Sequence, residues 1–351
     1  MDKKERAIKV LIVDDSQLIR NVLRELLSRN PKFEVVGAAV DPYDAREKIK
    51  SLQPDVITLD IEMPKMDGVT FLRNLMKLNP MPVVMLSTLT HEGADATLKA
   101  LELGAVDFIA KPRRGASDDD LTTFSRELCD KIEVAAANYQ RLKFRSVLKK
   151  VEQAPHGLGR KQWRTVIAVG ASTGGVEAVK TLLAAMPLDC PPIVITQHIP
   201  ENFSQRFADR LNAGVAIDVK QAEQGDTLCA GCAYIAPGAE HLQLIEQEGQ
   251  LHCALNAGDK VNRHRPAVDV MFDSLVGLRG WSVIPVLLTG MGGDGAAGMK
   301  RLVDAGAISI VQDQQSSVIW GMPGEAVRLG AASYVLPLNE IAQQLVAQFN
   351  K

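Results

Sequence analysis

Ile8-Lys9-Val10-Leu11-Ile12-Val13 runs into Asp14-Asp15, and Val56-Ile57-Thr58-Leu59 runs into Asp60. Short runs that are apolar almost throughout are strands covered on both faces, the pattern of a parallel sheet. Pro82-Val83-Val84-Met85-Leu86 ends in Ser87, and Val106-Asp107-Phe108-Ile109-Ala110 ends in Lys111-Pro112. The carboxyl ends of such strands share one crevice, where ligands bind in open α/β sheets. Three carboxylates gathered there repel one another unless a hard cation joins them. An acid cluster, a hydroxyl and an amine on one rim suit a metal and a phosphoryl group.

Outward from these runs, residues 7–112 alternate strands with amphipathic segments. Leu18, Ile19, Val22, Leu23, Leu26 and Leu27 recur at helical spacing, which predicts a helix after Asp15. Further strands are predicted at 34–39, 55–60, 82–87 and 106–110, with helices near 43–51, 69–78 and 93–103. Five strand–helix units give a doubly wound five-stranded parallel domain. Asp118-Asp119-Asp120 opens another helix, whose stripe runs from Leu121 through Phe124, Leu128, Ile132 and Ala135 to Tyr139 and Leu142. The basic stretch from Lys143 and the Pro/Gly-containing segment to Arg160 predict an exposed linker.

A second α/β pattern begins at Thr165. It predicts strands at 165–170, 193–197, 283–289 and 308–312, and helices at 175–186, 201–212, 295–305 and 324–330. Shorter strands at 215–220, 233–236, 242–246 and 251–255 suggest a hairpin region. The domain organisation expected is 1–130, a helical extension and linker over 131–162, and a second doubly wound α/β domain over 163–351.

With 351 residues, 46% hydrophobic and 23% charged, the chain can hold two sizeable cores. No apolar stretch reaches membrane-span length and the first residues lack a signal-peptide core, so a cytoplasmic protein without membrane insertion is expected. From Lys161 onward there are 14 Lys and Arg against 18 Asp and Glu, which argues against a nucleic-acid binder. Five cysteines at irregular spacing argue against a disulfide framework. Cys229 and Cys232, with Cys253 and His241 or His252, could count as zinc ligands. No second C-x-x-C follows, however, and the pair sits in a glycine-containing turn, so a structural role is the better reading.

The chemistry of the first rim is that of phosphoryl transfer. Asp60 is a carboxylate nucleophile able to form an aspartyl phosphate. Mg²⁺ on Asp14, Asp15 and Asp60, with a backbone carbonyl, would offset phosphoryl charge, while Lys111 and Ser87 would take phosphoryl oxygens. Asp14-Asp15, Asp60, Ser87, Lys111-Pro112 and the run Asp60-Ile-Glu-Met-Pro-Lys-Met-Asp-Gly68 resemble a response-regulator receiver domain over about residues 7–130.

In the second domain, strand Thr165–Val169 runs into Gly170-Ala-Ser172-Thr-Gly-Gly175. Gly170-x-Ser172-x-Gly174 fits a nucleophile elbow. The same glycines could cradle an anion at a helix N-terminus, and Ser172 could be a plain N-cap. The next strand ends at His198, and the strand Val283–Thr289 ends in Gly290-Met-Gly-Gly293 and Asp294. Ser172, His198 and Asp294 can form a triad, since triads recur in unrelated chain orders. For His241 and His264 a surface or core role is the default. Arg263 and Arg265 could meet an acidic surface or simply be solvated.

Gly170–Gly175, Gln197-His-Ile-Pro200, Ile235-Ala-Pro-Gly238, Arg265-Pro-Ala-Val-Asp269, Thr289-Gly-Met-Gly-Gly-Asp-Gly295 and Gly321-Met-Pro323 together resemble the catalytic domain of the CheB family, the chemotaxis protein-glutamate methylesterases. The resemblance implies a phosphorylation-activated serine esterase. Its substrates would be γ-methyl glutamate esters, and some glutamines, on the cytoplasmic helices of methyl-accepting chemoreceptors. Its phosphodonor would be the histidine kinase of the chemotaxis system. Ser172 would attack, His198 would take its proton, Asp294 would orient His198, and N–H groups near Met291 with Thr173 would hold the oxyanion. The catalytic domain needs no cofactor on this reading. The competing reading is a receiver-controlled, non-catalytic module whose Gly-rich loop binds an anion.

Overall fold

The computed structural model describes residues 6–88, 90–112, 115, 117–137 and 163–350. The chain divides into two compact units, Met1–Phe144 and Arg145–Lys351.

In the first unit, strands β1 (Ile8–Val13), β2 (Phe33–Ala39), β3 (Val56–Asp60), β4 (Val83–Ser87) and β5 (Asp107–Ala110) alternate with helices α1 (Gln17–Ser28), α2 (Pro42–Leu52), α3 (Gly68–Leu78), α4 (His91–Glu102) and α5 (Asp118–Ala137). The sheet is parallel, in the order β2-β1-β3-β4-β5. All residues of β3 and β4 are buried, as their apolar runs require. Local signals agree with the helix starts. Asp41 accepts from the N–H groups of Tyr43 and Asp44, Pro42 occupies the first turn, and Asp67 caps Thr70. Each such cap contributes about 1 kcal/mol. The order places β1 beside β3, so the ends carrying Asp14 and Asp60 are neighbours in the sheet. Tyr139, Leu142 and the predicted linker to 162 lie outside the described residues.

The second unit holds a seven-stranded parallel sheet. Its strands are β6 (Thr165–Ala171), β7 (Ile193–Gln197), β8 (Asp218–Gln221), β9 (Cys232–Ile235), β12 (Ser282–Leu287), β13 (Ile310–Gln312) and β14 (Tyr334–Leu336), in the order β14-β13-β12-β6-β7-β9-β8. Helices α6 (Gly175–Ala184), α7 (Glu201–Gly214), α8 (Val268–Leu275), α9 (Ala296–Asp304), α10 (Met322–Arg328) and α11 (Leu338–Phe349) pack around it. The hairpin expectation holds for half of its segments. β10 (His241–Gln247) and β11 (Gln250–Asn256) pair antiparallel, whereas β8 and β9 join the main sheet in parallel. The sequence reading left out α8, β14 and α11. The first and last carry visible periodicity in Val268, Met271, Phe272 and Leu275, and in Ile341, Leu345 and Phe349, all buried. β14 has only three residues, too few to read.

The central strands β12, β6 and β7 bring three chain segments to one edge. Leu287 pairs with Gly170, and Ala171 with Gln197. Ser172, His198 and Thr289–Asp294 therefore follow adjacent strand ends.

Candidate active site and acidic pocket

Ser172 sits in the turn between β6 and α6. Its N–H donates to the Thr289 carbonyl at 3.0 Å, and its carbonyl accepts from Gly175 N–H at 2.7 Å. Gly174 has φ +78°, a backbone state that disfavours other residues. Gly290 is required for close approach, because a Cβ there would lie 2.9 Å from the Ser172 Cβ. The Gly175 N–H is thus taken by the turn itself, which weakens an anion nest at this loop.

His198 follows β7, and its N–H donates to the Ala171 carbonyl at 3.1 Å. The Gln197 amide Nε2 donates to the carbonyls of both Ser172 and His198, at 3.0 and 3.1 Å, locking the two loops together. His198 Nε2 lies 2.8 Å from Asp294 Oδ2. An ionised carboxylate only accepts, so Nε2 carries the proton and donates. Nδ1 then holds the lone pair; it is buried and has no hydrogen-bond partner.

Asp294 is saturated. Its Oδ2 also accepts from Val268 N–H at 2.7 Å, and its Oδ1 accepts from Asn262 Nδ2 at 2.8 Å and Asp269 N–H at 3.2 Å. Two of these donors are the first N–H groups of α8, where a helix favours negative charge. Burial pushes the Asp294 carboxyl up, but the bonds from His198, Asn262 and Val268 outweigh it and hold the group at about 2. Asp294 is therefore ionised at neutral pH.

The glycine loop after β12 is pinned by Thr289. Its N–H donates to Gln312 Oε1, and its hydroxyl accepts from Ile319 N–H within reach of the Thr173 carbonyl. Gly290 N–H donates to Ile319, and Met322 N–H to Gly290. Met291, half-buried, follows on this pinned backbone, and Thr173 is buried beside Ser172 in the chain.

A family model for the CheB methylesterase matches residues 167–345, and one for the response regulator receiver domain matches residues 10–121. The chain belongs to the CheB methylesterase family. A protein-glutamate methylesterase/protein-glutamine glutaminase of Hydrogenovibrio crunogenus is 49% identical over 375 residues, covering 98% of this chain and 99% of its own length. A similarly named protein 1 of Xanthomonas campestris pv. campestris is 49% identical over 350 residues, covering 98% of each. Among solved structures, the Thermotoga maritima CheB methylesterase catalytic domain is 37% identical with a TM-score of 0.51, covering 52% of this chain and 97% of that one.

The receiver of this CheB relative gathers its acids as the strand ends dictate. One ligand atom each from Asp14, Asp15 and Asp60 lies within 4.8 Å of the others. Asp14 and Asp60 are fully buried and Asp15 is exposed. Lys111 Nζ stands 2.9 Å from Asp14 Oδ2 and 2.7 Å from Asp60 Oδ2, pairing with both carboxylates. Two buried carboxylate oxygens held only by the Lys111 ammonium, beside a third acid open to solvent, fit a hard divalent cation. Burial first, and the Asp14 charge second, push the Asp60 carboxyl up to about 6 despite Lys111. Burial pulls the Lys111 ammonium down, but Asp60 and Asp14 outweigh it and leave it raised.

Ser87 is the predicted residue that the structure turns elsewhere. Its hydroxyl lies 3.0 Å from the Thr88 carbonyl and accepts from Thr97 Oγ at 2.6 Å. The cysteines form no metal cluster among the described residues. Burial pushes the Cys190 and Cys253 thiols up to about 12, away from the thiolate a metal binds.

Sequence reasoning missed four residues around the triad. Asn262 has no role in the sequence, Gln197 and Asp269 enter it only as parts of motifs, and His264 takes a surface or core role by default. The His264 ring instead stacks on His198, with centroids 3.7 Å apart and planes at 10°. Asp269 is buried under the triad. Its Oδ1 accepts from Gly298 N–H at 2.6 Å, and burial, then the Asp294 charge, push its carboxyl up. Arg265 reaches back to the carbonyls of Ala257 and Gly258 at 2.9 and 2.8 Å.

Proposed function

We propose that residues 163–351 form a serine hydrolase acting on γ-methyl glutamate esters of methyl-accepting chemoreceptor helices. Residues 1–130 form the receiver that controls it from the cytoplasm, with 131–162 as extension and linker. The observation that carries this reading is the His198 ring. Its Nε2–H is bonded to a saturated, ionised Asp294, and its Nδ1 is buried and unpartnered next to the strand end bearing Ser172. In apo enzymes the nucleophile–base bond commonly forms only with substrate bound.

On this reading Ser172 Oγ adds to the ester carbonyl carbon while His198 Nδ1 takes the hydroxyl proton. Asp294 keeps the tautomer and stabilises the imidazolium. The oxyanion is held by backbone N–H groups at Met291 and Thr173. As the carbonyl reforms, the ester C–O bond breaks and His198 returns the proton to the leaving oxygen, releasing methanol. Water, deprotonated by His198, then cleaves the acyl-serine to glutamate and free Ser172. A glutamine side chain follows the same course with ammonia leaving.

Asp60 is the phosphoryl acceptor, with the histidine kinase of the chemotaxis system as phosphodonor. Mg²⁺ bound by Asp14, Asp15 and Asp60 would supply the positive charge that offsets the phosphoryl oxygens. Lys111 pairs with one oxygen, and the Ser87 hydroxyl must rotate from its present partners to donate to another. Incubating the full chain with a serine-reactive fluorophosphonate tests the catalytic assignment. Covalent labelling at Ser172 is expected. An unlabelled Ser172, even after phosphodonor treatment, would favour the anion-binding module.

A further inference from the structure

The segment between β11 and α8 carries a tight turn over the triad. Val261 N–H donates to the His264 carbonyl at 3.0 Å, and His264 N–H returns the bond to Val261 at 2.9 Å. The two residues between them, Asn262 and Arg263, have φ +51° and +71°. This is a two-residue turn with both central residues left-handed, which Asn tolerates and Arg does not favour. Such backbone persists only where its surroundings over-determine it. Here both feet are tied. Arg265 bonds back to Ala257 and Gly258. The buried His241 accepts at Nδ1 from Ala267 N–H at 3.1 Å and faces the Asp259 carbonyl with Nε2 at 2.9 Å.

The turn delivers two side chains to the triad. The Asn262 amide uses both its hydrogens, on Asp269 Oδ2 at 2.7 Å and Asp294 Oδ1 at 2.8 Å. The His264 ring lies flat on the His198 ring. We propose that Asn262 and His264 are positioning residues of the hydrolysis, Asn262 fixing the Asp294 carboxylate and His264 fixing the plane of the His198 imidazole. The inference rests on Ser172, His198 and Asp294 being the triad. With the Asp269 N–H, Asn262 occupies Asp294 Oδ1, while Oδ2 takes the ring and the Val268 N–H. Its second bond, to Asp269, stops the amide from rotating. His264 keeps the ring from tilting as Nδ1 receives the serine proton.

The test uses the full chain and a fluorophosphonate, with hydrolysis of a small glutamate γ-methyl ester as a second readout. Asn262→Gly keeps the left-handed backbone and removes both donors; His264→Ala removes the stack, and His264→Phe keeps a flat ring. Asn262→Gly and His264→Ala should each slow phosphonylation of Ser172 and kcat by about 10- to 100-fold. KM should stay unchanged, and the unfolding midpoint of Asn262→Gly should fall by a few degrees, because two buried carboxylates lose a donor. His264→Phe should regain most of the loss. In an Asp294→Ala background, Asn262→Gly should cost little further, because it acts through that carboxylate. Rates are read well below the unfolding midpoint of each variant, so that a loss of stability does not enter them. Wild-type labelling with all variants at the wild-type rate would overturn the positioning roles alone. A loss that is undiminished without Asp294, or not restored by Phe, would overturn them too. Absence of labelling in the wild type would overturn the triad and this inference together.

Discussion

Asp60, the last residue of β3, and Asp294, in the glycine loop after β12, are both buried aspartates, and they are treated in opposite ways. Asp294 receives four hydrogen bonds and is held at about 2. Asp60 has a buried Oδ2 held only by the Lys111 ammonium at 2.7 Å and is pushed up to about 6. The contrast fits the roles proposed for each. A carboxylate that only orients a neighbour is best saturated, so that its charge and geometry are fixed. A carboxylate that must attack is better left with an oxygen held only by a movable cation. Its neighbours, Asp14, Asp15 and Lys111, are the charges that a cation and a phosphoryl group would rearrange.

The largest effect expected belongs to neither acid but to the residue that Asp294 serves indirectly. Ser172→Ala should lower ester hydrolysis by about 10⁶-fold, to near background, and His198→Ala by a similar factor. Asp294→Ala should cost less, about 10⁴-fold, because an orienting acid is the least essential member of such a unit. Steady-state methanol release measures all three. Equal losses for Asp294→Ala and Ser172→Ala would break the distinction between orienting and reacting groups.

The saturation of Asp294 should also be visible in stability. Its folded-state carboxyl is depressed from 3.8 to about 2, so its contribution is complete above pH 4 and is lost as pH falls through 2. By linkage that amounts to about 2 kcal/mol. Urea unfolding between pH 4 and pH 2 should therefore weaken the wild type by about that much more than Asp294→Asn. A parallel loss in the two proteins would contradict the hydrogen-bond account of this acid.

A smaller and opposite response is expected at the receiver. Mg²⁺ at ten times its dissociation constant should stabilise the receiver transition by about 1.4 kcal/mol, a rise of a few degrees that chelation reverses. Asp60→Asn should reduce that rise by weakening the acid set. Calorimetry with and without Mg²⁺ measures it, and an unchanged transition would remove the cation from the account.

The legible part of this molecule is the part written along single strands. Apolar runs stop at Asp14, Asp60 and Ser172 and shortly before His198 and Asp294, and parallel topology carries those ends to shared edges. The less legible part depends on contacts across distant segments. Asn262 and His264 reach the triad from a turn whose φ values no short motif announces. The orientation of the Ser87 hydroxyl depends on Thr97, ten residues on, and not on the strand that carries Ser87. β8 and β9 read as short strands, but their sheet was decided by the neighbouring β7 and not by their own pattern.

The account turns on Asp60 being the acid that accepts phosphate and thereby sets the activity at Ser172. Its most direct test is methanol release from methylated receptor membranes by the full chain, before and after a small phosphodonor with Mg²⁺, in wild type and Asp60→Asn. The wild-type rate should rise on phosphodonor addition, and the Asp60→Asn rate should stay at its basal level. An Asp60→Asn protein that responds as fully as the wild type would contradict the assignment.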